Sequence, residues 1–220
     1  GNDNIGFTAT TAKTSTVKLG AGDDKLLLKA AGAVAGATYV FGEAGNDTVK
    51  IDSASGVLTV SDLIDGGEGT DTLVLANGGA NQMVLRGVEK LTLTNTATGL
   101  NVINSADSAI AVTVEAGNAA TPTTLASITG LTSGSTVTVN DSKDATGGVQ
   151  ALTVGYKDLE AAATIDVNSV KAAGLVKITN VSAATIDYAK TADSSAAGIT
   201  TDETTSLNII AAKDVNTGAI

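Results

Sequence analysis

The chain has 220 residues and carries 13 basic against 23 acidic side chains, a net charge of −10 with no histidine. Its apolar content of 43% comes from Ala, Val, Ile and Leu in short bursts, with only Phe7, Tyr39, Phe41, Tyr156 and Tyr188 as aromatics; thin stacked layers suit that mixture better than one thick core. Arg86 is the single arginine and no basic patch exists, which excludes nucleic acid as a partner, and the absence of cysteine excludes disulfides, thiolate metal sites and thiol nucleophiles. No apolar run approaches membrane-spanning length, so no membrane insertion is expected.

In chain order, the first third is punctuated by four related runs: Gly1-Asn2-Asp3, Gly20-Ala21-Gly22-Asp23-Asp24, Gly42-Glu43-Ala44-Gly45-Asn46-Asp47 and Gly66-Gly67-Glu68-Gly69-Thr70-Asp71. Each ends in Asp, and an apolar residue follows two positions later: Ile5, Leu26, Val49 and Leu73. A β-rich run follows each loop (Ile5 to Thr8, Leu26 to Leu28, Val49 to Ile51, Leu73 to Leu75). A second run precedes the next loop: Val17 to Leu19, Thr38 to Phe41, and Val57 to Val60 continuing towards Ile64. Small-residue turns at Ala30 to Ala37, Ser53 to Gly56 and Asn77 to Asn81 join the two. Strand, free turn, strand, acidic loop is one rung of a parallel solenoid. The aspartates are spaced by 21, 23 and 24 residues, which places one loop on each full coil instead of two nonapeptides of about nine residues each.

These loops have calcium chemistry in them. Calcium takes about six to eight oxygens at roughly 2.3–2.6 Å. Glycine lets the backbone adopt positive φ so that successive carbonyls converge, and each Asp adds a charged oxygen. One loop supplies half a shell, so loops on adjacent coils must share an ion. The fourth run fits the template G-G-x-G-x-D-x-U-x at every defined position, and the motifs resemble those of RTX proteins, which are exported from Gram-negative bacteria by type I secretion and fold on calcium outside the cell. The resemblance implies one ion among Gly20, Gly22, Asp24, Gly42, Ala44 and Asp47, and a second among Glu43, Gly45, Asp47, Gly66, Glu68 and Asp71. A further site would join Gly1 and Asp3 to Leu19, Ala21 and Asp24, with its opening residues missing. Gly67, Gly69 and Asp71 would face another loop, but nothing after residue 73 continues the motif; that half-site is completed by other carboxylates or water, or stays empty. Leu19 and Glu43 depart from the template, each standing where it has Gly. Starting inside a repeat, the chain reads as a piece of a longer protein.

After residue 75 the grammar changes. Arg86-Gly87-Val88-Glu89-Lys90-Leu91-Thr92-Leu93-Thr94 opens a series of short Thr/Val/Ile runs at Val112 to Val114, Thr136 to Val139, Leu152 to Val154, Thr164 to Val167, Val176 to Thr179, Ala184 to Asp187 and Leu207 to Ile210. Apolar residues alternate with Thr, Asp or Asn, giving each strand an inner and an outer face. The expected organisation is all-β: a calcium-binding parallel β-roll over 1–94, continuing over 95–220 as a Thr/Ala-rich β-solenoid without the calcium code, with a β-sandwich as runner-up. One short helix is expected near Asp158 to Ala163. The Gly-Val-Glu-x-Leu-x-Leu run after such loops, with the Thr/Ala-rich strands, resembles surface-layer proteins of the RTX type.

Catalysis has little to draw on. No His or Cys is present to act as base or nucleophile, and neighbouring carboxylates such as Asp202 and Glu203 are explained by exposed turns. Glu89 and Lys90 read as a solvated strand edge, Asp62 and Asp65 as outer neighbours of the fourth loop, and Asp141, Lys143 and Asp144 as a loop with the composition of an extra ion site. The expectation is a non-enzymatic structural component of a secreted, extracellular surface layer, self-associating laterally, with cell-surface polysaccharide as a second partner. An adhesin or exported passenger with a spacer or glycan-binding role is the alternative; a polysaccharide-modifying solenoid enzyme, or its accessory module, ranks third.

Overall fold

The structure, a computed structural model of the chain, describes residues 1–9, 13–30, 36–52, 58–59, 61–76, 81–94, 100–101, 108–115, 126–141, 152–160, 162–169, 175–188, 194–195, 198–211 and 215–216. It is a parallel β-solenoid. One wall is a ten-stranded sheet made, in order, of Asn4–Ala9, Lys25–Ala30, Thr48–Asp52, Thr72–Ala76, Lys90–Thr94, Ala111–Glu115, Thr136–Asp141, Ala163–Ser169, Ala183–Tyr188 and Ser206–Ala211. The chain leaves this wall after each strand, crosses a second wall and returns one rung further on. That second wall has two parts. Ser15–Ala21, Thr38–Ala44, Leu63–Asp65 and Val84–Arg86 form a four-stranded sheet, while Asn81–Gln82, Leu100–Asn101, Ala126–Leu131, Leu152–Glu160, Leu175–Val181 and Gly198–Thr201 form a six-stranded one. The two parts meet in the coil containing Met83, which gives a strand to each. Ser194–Ser195 and Val215–Asn216 pair separately.

All strand pairs are parallel, and apart from register shifts where Leu152–Glu160 pairs with Ala126–Leu131 and with Leu175–Val181 they lie side by side in register, so inward positions repeat up the stack. Ile5, Leu26, Val49, Leu73, Leu91, Val112, Val137, Ile165, Ile186 and Ile209 form one unbroken aliphatic column. Val17, Val40, Ile64 and Leu85 form a shorter column facing it from the four-stranded sheet. β-Branched and Leu side chains suit a pleated surface buried on one side, and each fully buried one contributes about 1.5–3 kcal/mol. The alternation in the sequence is therefore what closes the coil: one residue in two enters a narrow core, the other stays at the surface.

Two expected elements and the runner-up fold fail here. The helix expected at Asp158 to Ala163 is absent: Asp158 to Glu160 end the strand Leu152–Glu160, Ala163 begins the strand Ala163–Ser169, and the described residues contain no helix. So short a helix is marginal in water, where about 12–15 residues are needed, whereas the strand pairs on both sides, with Ala126–Leu131 and with Leu175–Val181. The β-sandwich is excluded because the later strands extend the same parallel ten-stranded sheet. Leu58 and Thr59 lie outside any strand, and the strand of that coil starts later, at Leu63. Most of the three expected turns at 30–37, 53–56 and 77–81 lies outside the described residues, as do Lys143 and Asp144.

Candidate metal centre

The acidic loops lie at the corner where the chain enters the ten-stranded wall, so they stack directly on one another. Positive φ recurs up the stack at the template's second position (Gly20 +101°, Glu43 +75°, Gly67 +96°) and fourth (Gly22 +128°, Gly45 +138°, Gly69 +141°). Side chains rarely tolerate this region. Space forbids them as well: a Cβ on Gly45 would collide with the Gly22 carbonyl oxygen, one on Gly69 with that of Gly45, and one on Gly67 with that of Glu43. Gly20 differs, since a Cβ there would meet nothing within 4 Å.

The loop carbonyls carry much of the contact between coils. Ala21 O accepts from the Gly1 amino group at 2.5 Å. The N–H of Gly22 donates to Ala44 O, that of Gly45 to Glu68 O, and that of Glu68 to Glu43 O, each at 2.8 Å. Each of these oxygens keeps a second lone pair.

The aspartates form a ladder of their own. The backbone N–H of Asp3 donates to Asp24 Oδ1 at 2.6 Å, that of Asp24 to Asp47 Oδ1 at 2.8 Å, and that of Asp47 to Asp71 Oδ1 at 2.7 Å. Asp24 is 0% exposed, Asp47 and Asp71 2%, yet the second oxygen, Oδ2, of all three is buried with no hydrogen-bond partner. A buried carboxylate oxygen without a partner is expensive. Burial, with a smaller contribution from the charges of Asp24 and Asp23, pushes the Asp47 carboxyl above its ordinary range against the pull of the Asp24 N–H. Burial does the same to Asp71, joined by the charges of Asp47, Glu89 and Asp65 and opposed by the Asp47 N–H. Asp3 itself is exposed and accepts no such bond among the described residues.

Two members of this arrangement were not read from the sequence. Glu89 is not a solvated edge: its Oε2 accepts the Asp71 N–H at 2.7 Å and so continues the ladder across a coil shortened to 18 residues. The template's free position also forms a ladder, running the opposite way, in which Asp23 N–H donates to Asn2 Oδ1, Asn46 N–H to Asp23 Oδ1 and Thr70 N–H to Asn46 Oδ1 at 2.8–3.0 Å. Asn or Asp at that position was the available signal. Asp62 leaves the site. It is buried, accepts from the backbone N–H of Thr38 and of Thr59 at 2.6 Å each, and thereby ties the start of the second wall. Asp65 stands on the outer face of that wall, in register with Phe41 and Arg86.

The donors gathered at this corner are all oxygens, which suits a hard cation such as calcium and no soft metal. No group of three or more carboxylates converges among the described residues, so the rest of any shell would come from backbone carbonyls of the loops and water. Comparison of the chain with protein-family models, curated proteins and solved structures returned no match.

Proposed function

We propose that this chain is a structural element of a bacterial surface layer whose acidic coils are stapled by calcium, with lateral association between copies as its role. The observation that supports it is the column of Asp24, Asp47 and Asp71, each presenting a buried Oδ2 with no donor to meet it. Bound there, calcium would supply the positive charge these oxygens lack. Asp24, Asp47 and Asp71, with carbonyls from the same glycine-rich loops, are the residues to hold it. Their Oδ1 atoms already bridge each coil to its neighbour, so a cation on Oδ2 would fix both oxygens of one carboxylate and couple ion binding to coil stacking. Extracellular modules bind calcium at roughly 10⁻⁴–10⁻³ M, which leaves such loops unfolded inside a cell and folded outside it. We assign no catalytic activity, the chain having neither His nor Cys.

Electron microscopy of the full protein with millimolar calcium tests the layer. An ordered two-dimensional array that disperses in chelator is expected; isolated rods in both conditions would refute it. A glycan-binding role has one observation in its favour, a cleft of about 260 Å³ on the four-stranded sheet lined by Lys18, Phe41, Glu43, Asp65 and Gly67. An aromatic ring beside charged groups suits a sugar. Loss of polysaccharide binding in Phe41→Ala, with the array intact, would establish that role beside the first.

A further inference from the structure

We propose that the coil Gly87-Val88-Glu89 closes one more divalent-cation site, with Asp71 and Glu89 as its carboxylates and Gly87 contributing a backbone carbonyl. The cation ladder then ends one coil beyond the last Gly-Asp motif. The inference rests on the calcium reading of the loops below it and adds residues that no motif marks.

Three observations carry it. Asp71 is 2% exposed and its Oδ2 has no partner, so the top of the last complete loop presents the same unmet oxygen as the loops beneath. The surroundings repeat as well. A Cβ placed on Gly42 would collide with the Gly66 carbonyl oxygen and lie 2.5 Å from Asp47 Oδ2; one on Gly66 would collide with the Gly87 carbonyl oxygen and lie 2.6 Å from Asp71 Oδ2. Carbonyl and carboxylate thus approach one point in both coils, and Gly87, with φ at +51°, takes the place in the fifth coil that Gly66 holds in the fourth. Finally, Glu89 Oε2 holds the Asp71 N–H as Asp71 Oδ1 holds that of Asp47. The coil is only 18 residues long here, and the extra methylene of Glu spans what the shorter loop leaves open.

Among the described residues neither Arg86 nor Lys90 forms an ion pair with Asp71 or Glu89. One coil on, the ladder position is Ile110, which has no side-chain oxygen, and the Glu89 N–H turns back to the Asp71 carbonyl at 3.2 Å. Among the described residues the carboxylate series ends here, because Ile110 stands at the position that Asp71 and Glu89 hold in the coils below.

The test is calcium stoichiometry of the full chain, by native mass spectrometry and titration calorimetry with calcium chloride, for wild type, Glu89→Gln and Asp47→Asn. Glu89→Gln keeps an oxygen for the Asp71 N–H but loses the charge. It should bind one calcium fewer than wild type while the remaining sites keep their affinity. Unchanged stoichiometry and affinity in Glu89→Gln, with loss in Asp47→Asn, would overturn the terminal site and leave the loop reading standing. No calcium on wild type would overturn both. Should the variant not fold, the side-chain carboxyl carbon of Glu89, followed by NMR in wild type, decides: a shift on calcium addition supports the site, and none overturns it.

Discussion

The coils before and after Glu89 share the ten-stranded sheet and one aliphatic column, and differ in their second wall and at the acidic corner. In the first coils that corner runs Asp3, Asp24, Asp47, Asp71, Glu89, with each carboxylate after the first holding the N–H of the coil before it. Afterwards it runs Ile110 and Ser135, and the Ile110 N–H is held at 3.0 Å by a neutral oxygen, Ser135 Oγ, buried in turn beneath Tyr156, whose hydroxyl donates to Ser135 O at 2.7 Å. The backbone need is the same, and a hydroxyl meets it. Stacking of this solenoid therefore does not require carboxylates. The acidic coils instead carry buried carboxylate oxygens without a partner, and that is where the two regions should part.

The largest difference should appear on removing calcium. At about 10 mM calcium, about 100 times a dissociation constant of about 10⁻⁴ M, each site would stabilise by about 2.7 kcal/mol, so two or more sites would supply about 5 kcal/mol or more. Chelation should lower the melting temperature by about 10 °C or more. In hydrogen exchange, amides of Lys25–Ala30, Thr48–Asp52 and Thr72–Ala76 should lose protection, while those of Thr136–Asp141 and Ala183–Tyr188 change far less. Uniform loss would mean that the regions are not distinct. Next come the glycines. Gly69→Ala meets both a colliding carbonyl and a φ of +141°, whereas Gly134→Ala, in a later coil, meets only a φ of +81° and an ordinary contact of 3.4 Å with Ala109. Urea unfolding should show a loss of about 3 kcal/mol for the first and about 1 kcal/mol for the second.

Charge separates the regions by sign. Asp47 and Asp71 are held above the ordinary carboxylate range by burial. A carboxyl whose folded value is raised adds stability that is full below its unfolded value and lost as pH rises through the folded one. In chelator, acidification from neutrality into the carboxylate range should therefore raise the melting temperature contributed by these coils. In calcium the trend reverses, because protons compete for the ligands. Asp47→Asn should abolish the metal-free trend at its own step and weaken the calcium effect. Ser135→Ala, its counterpart in the later coils, should cost about 1–3 kcal/mol by stranding the Ile110 N–H, equally with and without calcium.

Much of this was legible because the solenoid repeats a local rule. Val, Ile and Leu two positions past each Asp, and again in the Thr-rich runs, are the residues that stack into the aliphatic column. The parts that were not legible depend on which coil lies above which. Nothing local marks Glu89 as a ladder member, since its loop is short and its residue type differs. Nothing local tells Asp62, which caps Thr38 one coil away, from the aspartates it neighbours in sequence. In Ala126–Leu131, Gly130 with φ at +77° interrupts the alternation, and the register shifts there. At Asp158 to Glu160, helix-favouring composition was overridden by pairing with a neighbouring coil.

The smallest effect isolates the loop backbone from its charge. Glu43 stands where Gly20 and Gly67 stand in adjacent coils, and holds a φ of +75° that costs an L-residue about 1–2 kcal/mol. Glu43→Gly removes that strain but returns about 0.5–1 kcal/mol to the unfolded chain as backbone entropy. It also deletes the 3.3 Å ion pair with Lys18, whose side chain is 68% exposed; such a pair contributes about 0–1 kcal/mol. At mid-range the terms nearly cancel, so a change of about 1 kcal/mol or less in either direction is expected in thermal unfolding, unchanged by chelator because the carbonyl of residue 43 is retained. A clear loss confined to calcium-loaded protein would show instead that the Glu43 carboxylate takes part in holding the ion.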